Sequence, residues 1–144
     1  SVSNGAALCG DAEYIAVHDA ARPFITPEEI ETVCADAEKY GAATLAVPVK
    51  DTIKVAAADG TVCATPERST LRAIQTPQVF QADLIKAALT NAMRKHLAIT
   101  DDCSAVEQLR VKPVVTQGSD ENLKITTPID IELAESILRR RGGA

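Results

Sequence analysis

The chain has 144 residues, 46% hydrophobic and 24% charged, enough apolar content for the core of one domain. A net charge of −5 and 3% aromatic residues argue against a nucleic-acid surface, which needs a basic field and stacking platforms. No apolar run approaches the roughly 18 residues that span a bilayer, and "SVSNGAALCG" lacks the basic-then-apolar layout of a secretory leader. With Cys9, Cys34, Cys63 and Cys103 scattered and no C-x-x-C pair, free thiols, a cytoplasmic location and no membrane partner are expected.

In chain order, Tyr14–Val17 reads as a short buried strand, followed at once by "HDAARP". In an open α/β sheet, ligands bind beyond the carboxyl ends of strands, so Asp19 suits a divalent cation and Arg22 an anion. A solvated loop carrying a surface ion pair accounts for the same spacing. Thr26-Pro27-Glu28-Glu29 announces a helix with a capping box, and Ile30, Val33, Cys34 and Ala37 form its apolar face before Gly41 closes it. Ala43–Val49 is β-rich, and Pro48 near its end suggests a strand at or leaving the sheet edge. From Asp51 to Thr76 the pattern is an arm: alternating strands flank Asp59-Gly60, a hairpin turn signal.

Helical spacing returns at Leu84, Ile85, Ala88, Leu89 and Ala92, and a shorter helix follows Thr100-Asp101 through Ala105, Val106 and Leu109. "VKPVVTQG" and "NLKIT" read as strands. Thr127-Pro128-Ile129-Asp130 caps a last helix with Ile129, Leu133 and Ile137 on one stripe, ending at Arg139-Arg140-Arg141. Alternating elements imply an α/β fold with a largely parallel sheet covered on both faces. Neither G-x-G-x-x-G nor G-x-x-x-x-G-K-[ST] is present, so no glycine-rich loop cradles phosphates, and the chain is expected to begin partway into a domain.

Several segments in one order, "SV" at 1–2, "HDAARPF" at 18–24, "VPVKDTIK" at 47–54, "QTPQVF" at 75–80, "TDDCSAVE" at 100–107 and "NLKITTPID" at 122–130, resemble the 2-C-methyl-D-erythritol 4-phosphate cytidylyltransferases. The resemblance implies a Rossmann-like nucleotidyltransferase sheet with helices on both faces and a projecting β-hairpin arm. Residues 1–144 would be the C-terminal portion of that single domain, incomplete at the N-terminus, with 51–76 a dimerisation arm inside it. It implies transfer of CMP from CTP to methylerythritol 4-phosphate, with Mg²⁺ or another divalent cation, in a homodimer. A separate N-terminal segment would supply the nucleotide loop. Ribitol 5-phosphate cytidylyltransferase shares several of these elements, but "VKDTIK" with Lys54, Arg68 and "TDDCSAVE" favour methylerythritol phosphate. The third possibility is a dimerisation and substrate-binding fragment without turnover.

By the same resemblance, Asp19 would hold the metal and nucleotide, and Lys124 would contact the nucleotide and stabilise charge developing on the α-phosphate. Arg22, Ala20, Thr52, Arg68, Thr76 and Thr100 would line the sugar-phosphate pocket, Arg68 with a catalytic share, and Ser1 would lie near the cytosine and ribose. Each has a plainer alternative: Arg22 as a partner for Asp19, Thr52 pairing across the hairpin, Thr76 serving a turn before Pro77, Thr100 capping a helix. Asp101 and Asp102 read as acids that favour a helix N-terminus. His18 and His96 lack metal-ligand spacing and read as structural.

Overall fold

The computed structural model describes residues 2–142. In chain order the elements are α1 (Val2–Leu8), β1 (Tyr14–Val17), α2 (Pro27–Tyr40), β2 (Ala42–Pro48), β3 (Val55–Ala56), β4 (Val62–Ala64), β5 (Arg72–Gln81), α3 (Ala82–Arg94), α4 (Asp102–Glu107), β6 (Val114–Gln117) and α5 (Pro128–Arg140). The main sheet has the order β1-β5-β2-β6, and β3 pairs only with β4. It is mixed rather than largely parallel. β5 runs antiparallel to both β1 and β2, and only β2 and β6 are parallel.

β5 is the strand that the sequence conceals. "RAIQTPQVFQ" has a proline at its middle and glutamines on both sides, which argues against a central strand. The ladder with β2 breaks there: Thr44 pairs with Gln78 and Ala46 with Ile74, so the register shifts opposite Gln75–Pro77. Pro77, which has no N–H to give, thus falls where the regular ladder is interrupted. Arg72–Thr76 therefore belongs to the main sheet, and the arm's own pairing is confined to β3 and β4.

β2 lies between β5 and β6, not at an edge. Ala42 to Ala46 are all buried because helices cover both faces, and Pro48 is the last residue, where the strand leaves the sheet. On one face, Val33 and Ala37 of α2 pack on Ala43, Leu45 and Val79. On the other, Ile85, Ala88 and Leu89 of α3 and Ala105 and Val106 of α4 meet Ile15, Ala42 and Phe80. The period-2 alternation within β2 and β5 assigns neighbouring residues to opposite layers. Ala6 of α1, a helix absent from the sequence reading, also joins this second layer.

A third, smaller cluster joins Phe24 to Ala134 and Ile137 of α5, with Leu123 and Ile125 against it. α5 meets only this patch, so its buried stripe is narrow. Ile137 is inside as expected, but Ile129 and Leu133 are 65% and 51% exposed. "NLKIT" forms no strand, contrary to its β-like composition; it is tied by a backbone bond from Ile125 N–H to the Ala21 carbonyl at 2.8 Å. Among the described residues, no helix is long and apolar enough to cross a membrane, and all four cysteines are free thiols.

α2 begins as its sequence dictates. Thr26 Oγ1 accepts from the Glu29 N–H at 3.2 Å, and the Glu29 carboxylate accepts from the Thr26 N–H at 3.0 Å, closing the capping box. Removing the cap hydroxyl by Thr26→Ala is expected to cost about 0.5–2 kcal/mol. Urea unfolding should show a lower midpoint with an unchanged slope.

Candidate active site

Three segments converge at one end of the sheet. The turn after β1 is closed by a bond from the Arg22 N–H to the Asp19 carbonyl at 3.0 Å. β5 passes alongside, and the Asp19 N–H donates to Thr76 Oγ1 at 2.9 Å. The third segment, residues 119–126, is held by Asn122. Its side chain is fully buried, Nδ2 donates to the Thr76 carbonyl at 2.9 Å, and its own carbonyl accepts from Arg22 Nη1 at 2.6 Å. Gln75 Nε2 adds a bond to the Ser119 carbonyl at 2.8 Å. Gly118 is needed here, because a Cβ would collide with the buried, bonded side chain of Gln75.

This lacing brings Lys124 Nζ to 2.9 Å from Asp19 Oδ2, with Arg22 Nε at 3.8 Å from the same oxygen. The Lys124 ammonium, bonded to the Asp19 carboxylate, holds that carboxyl below its ordinary range, with Arg22 and His18 adding to the effect against the opposing cost of burial. Arg22 is itself largely buried, and burial lowers its pKa from the usual guanidinium value while Asp19 opposes that. The Arg22 Nε is buried without a hydrogen-bond partner.

Around the pair opens a cleft of about 340 Å³, walled by Asp19, Arg22, Thr76, Thr100, Asp102 and Lys124 among others. Gln78, buried in β5, ties the start of α4 to the cleft: its Nε2 donates to Asp101 Oδ2 at 2.8 Å, and its Oε1 accepts from the Cys103 N–H at 3.0 Å. Asp101 caps α4 by accepting from the Ser104 N–H, which confirms the helix-start reading. Asp102 follows in the first turn, and its carboxyl is pushed up by burial and then by the nearby Asp101 and Asp19 charges. A larger groove of about 650 Å³ adjoins, sharing Thr100, Asp101 and Asp102, but its floor of Leu89, Ala92 and Met93 is apolar.

The cleft thus gathers Asp19, Arg22, Thr76, Thr100 and Lys124. It does not gather Thr52 or Arg68. Both are exposed outside it, and Arg68 Nη1 donates to the Lys50 carbonyl at 3.0 Å. Ala20 is exposed in the turn and forms no wall of the cleft, and Ser1 lies outside the described residues. Thr76 belongs to β5 rather than to a turn, and Thr100 precedes the residue that caps α4. Sequence reasoning passed over Asn122, Gln75 and Gln78. Their available signal was polar side chains inside otherwise strand-like or apolar stretches, legible only once β5 is known to be buried.

The family model described as IspD, 2-C-methyl-D-erythritol 4-phosphate cytidylyltransferase, matches residues 1–140. The chain belongs to this cytidylyltransferase family. It is 48% identical over 134 residues to the protein of that name from Desulforamulus reducens, covering 93% of this chain and 57% of the relative. The Pelotomaculum thermopropionicum protein is 48% identical over 144 residues, covering 99% and 60%. Among solved structures, the cytidylyltransferase of Thermus thermophilus superposes with a TM-score of 0.86 at 32% identity, covering 96% of this chain and 68% of that one. The Anaerococcus prevotii synthase gives 0.89 at 34% identity, covering 96% and 63%. The chain spans 57% and 60% of the length of these two curated cytidylyltransferases.

The ion pair makes a measurable claim. Asp19 has a lowered folded pKa, so the stabilisation from its partner is present above the unfolded value near 3.8 and is lost as pH falls through the lower, folded value. Lys124→Ala is expected to return the Asp19 carboxyl toward the ordinary range, read from its ¹³C shift across an acid titration.

Proposed function

We propose that this chain takes part in transfer of CMP from CTP to 2-C-methyl-D-erythritol 4-phosphate. An oxygen of the sugar phosphate attacks the α-phosphorus of CTP, the bond to the bridging oxygen breaks, and pyrophosphate leaves. The observation that carries the reading is the Asp19–Lys124 pair at 2.9 Å inside a cleft whose walls also hold Arg22 and two threonines. Lys124 supplies a positive charge toward the α-phosphate oxygens as negative charge grows there. Arg22, held from behind by Asn122, gives a fixed positive field in which the sugar phosphate is oriented. The relatives' names favour methylerythritol phosphate over ribitol 5-phosphate as acceptor.

The donor chemistry of the cleft accommodates Mg²⁺: Asp19 offers a carboxylate oxygen, Oδ1, that makes no hydrogen bond among the described residues, and Asp102 lines the same cleft. Mg²⁺ prefers one or two carboxylates with phosphate oxygens and water, and it would neutralise phosphate charge there. Asp19→Asn is expected to lower turnover steeply. Lys124→Ala should lower kcat by about 100-fold or more, the scale of one donor to a developing oxyanion, with a smaller change in KM. Steady-state kinetics of the complete enzyme check both, and a pure KM effect of Lys124→Ala would overturn its transition-state role.

The 144 residues carry no glycine-rich phosphate loop. The second reading, that they are catalytically silent by themselves, rests on the need for backbone donors of that kind to hold a triphosphate. CTP-dependent pyrophosphate release by the pure chain would refute it. The free cysteines accord with a cytoplasmic setting.

The exposed arm supports a homodimer. Ile53, Val55 and Val62 are 40%, 48% and 60% exposed, and a two-stranded hairpin is marginal alone in water. A second copy across a two-fold axis would cover it and bring Thr52 and Arg68 to the partner's cleft. Mixing complete Arg68→Ala and Lys124→Ala enzymes under subunit exchange should then restore roughly a quarter of wild-type activity, since random pairing makes about half the dimers hybrid with one intact site of two. Hybrid dimers seen by mass spectrometry without restored activity would place Arg68 in its own subunit's site.

A further inference from the structure

Thr76 Oγ1 stands at the centre of a closed ring of hydrogen bonds. It accepts from the Asp19 N–H at 2.9 Å and lies 3.0 Å from His18 Nδ1. His18 Nε2 lies 3.1 Å from the Arg22 carbonyl oxygen. A carbonyl only accepts, so Nε2 carries a proton, and in a neutral imidazole Nδ1 is then an acceptor. The Thr76 hydroxyl proton must therefore point at the ring. A hydroxyl has one proton to give and two lone pairs to offer. With the proton committed to His18 and one lone pair to Asp19, Thr76 faces the cleft with a single lone pair and no donor. Its backbone is pinned as well, since its carbonyl accepts from Asn122 Nδ2 at 2.9 Å.

Resting on the cytidylyl-transfer reading, we infer that His18 is a positioning residue that makes Thr76 an acceptor-only group, so that Thr76 recognises a hydroxyl on the polyol part of the sugar phosphate and not its phosphate. A phosphate dianion has no proton to give, whereas every hydroxyl of a polyol has one. The cation for the sugar phosphate is Arg22, with Lys124 in the same cleft serving the α-phosphate. One cleft then separates two tasks: a cation holds the charged end, and a threonine oxygen reads the uncharged end. His18 touches no substrate in this arrangement and acts through Thr76 and the Asp19 turn.

The ring tautomer is the first test. ¹⁵N NMR of the imidazole-labelled chain at pH 8 should show His18 neutral with the proton on Nε2. A proton on Nδ1, alone or in a doubly protonated ring, overturns the proposal. The second test is kinetic, in the complete enzyme, with inorganic phosphate as competitive inhibitor against the sugar phosphate. Thr76→Val should raise KM for the sugar phosphate by about two- to twelvefold, the range of one neutral hydrogen bond. The inhibition constant of inorganic phosphate should stay unchanged, and Thr76→Ser should restore KM. A parallel rise in both constants would mean that Thr76 donates to the anion and would overturn the assignment.

Should Thr76→Val fail to fold, His18→Gln gives the complementary measurement. It keeps a donor for the Arg22 carbonyl, removes the acceptor at the Nδ1 position and releases the Thr76 proton into the cleft, so inorganic phosphate should inhibit more tightly. Unchanged or weaker inhibition overturns the proposal. Absence of cytidylyl transfer by the complete wild-type enzyme would instead defeat the reading beneath it, while the ring tautomer still decides whether Thr76 can donate.

Discussion

The site depends on one buried amide. Asn122, with no exposed surface, bonds to the Thr76 carbonyl through its side chain and to the Arg22 guanidinium through its carbonyl. Without it, β5 and the turn after β1 would keep the Asp19–Thr76 and His18–Thr76 contacts, and the 119–126 segment would keep the Gln75–Ser119 bond, the Ile125–Ala21 backbone bond, the Lys124–Asp19 pair and the Phe24 cluster, but no buried side chain would join all three. A buried polar group costs free energy unless it is paired, so these bonds make the register of the segments specific rather than merely compact. Their consequence is two residues further on, where Lys124 reaches Asp19.

The price of that arrangement is visible nearby. Arg22 Nε and Asn122 Oδ1 are buried without partners, and Lys124 and Asp19 remain partly open to solvent. Packing continues outward through Glu121, which takes Arg140 Nη2 at 2.6 Å and Arg141 Nη2 at 2.8 Å and so fastens the end of α5 to the segment that carries Lys124. Arg141 also reaches the Phe24 carbonyl at 3.0 Å and lies over the Phe24 ring. Of the run Arg139-Arg140-Arg141, which in sequence looks like a dipole-favoured helix end, Arg140 and Arg141 thus also clamp a loop, while Arg139 pairs with Glu135 in its own helix. By contrast, the exposed Lys50–Asp120 pair at 2.8 Å contributes little to stability.

Much of the fold and part of the site were legible because they rest on local rules. The cap at Thr26, the closure at Gly41 with φ 85°, the turn at Asp59-Gly60 and the faces of α2 and α3 need only neighbours within a few residues. Asp19, Arg22, Thr76, Thr100 and Lys124 were recognised from short segments in a fixed order, and such segments can be matched without knowing how they meet. The chemistry-bearing residues therefore came before the geometry.

What local rules could not settle was decided by burial. β5 was not read as a strand of the main sheet, its first half being counted with the arm, because proline and glutamine are poor strand residues in water, yet inside the sheet Gln75 and Gln78 become the bonding members of the site and Pro77 falls at a break in the ladder. The stripe on α5 was overestimated because helical period says which residues share a face, not how wide a partner that face meets; only Ala134 and Ile137 find one. The amino-acid sequence by itself determined the elements with strong local signals and the side chains fit for phosphate chemistry. The tertiary structure alone decided the antiparallel course of β5, the burial of Asn122 and the meeting of Lys124 with Asp19, because each depends on desolvation by segments up to about a hundred residues away.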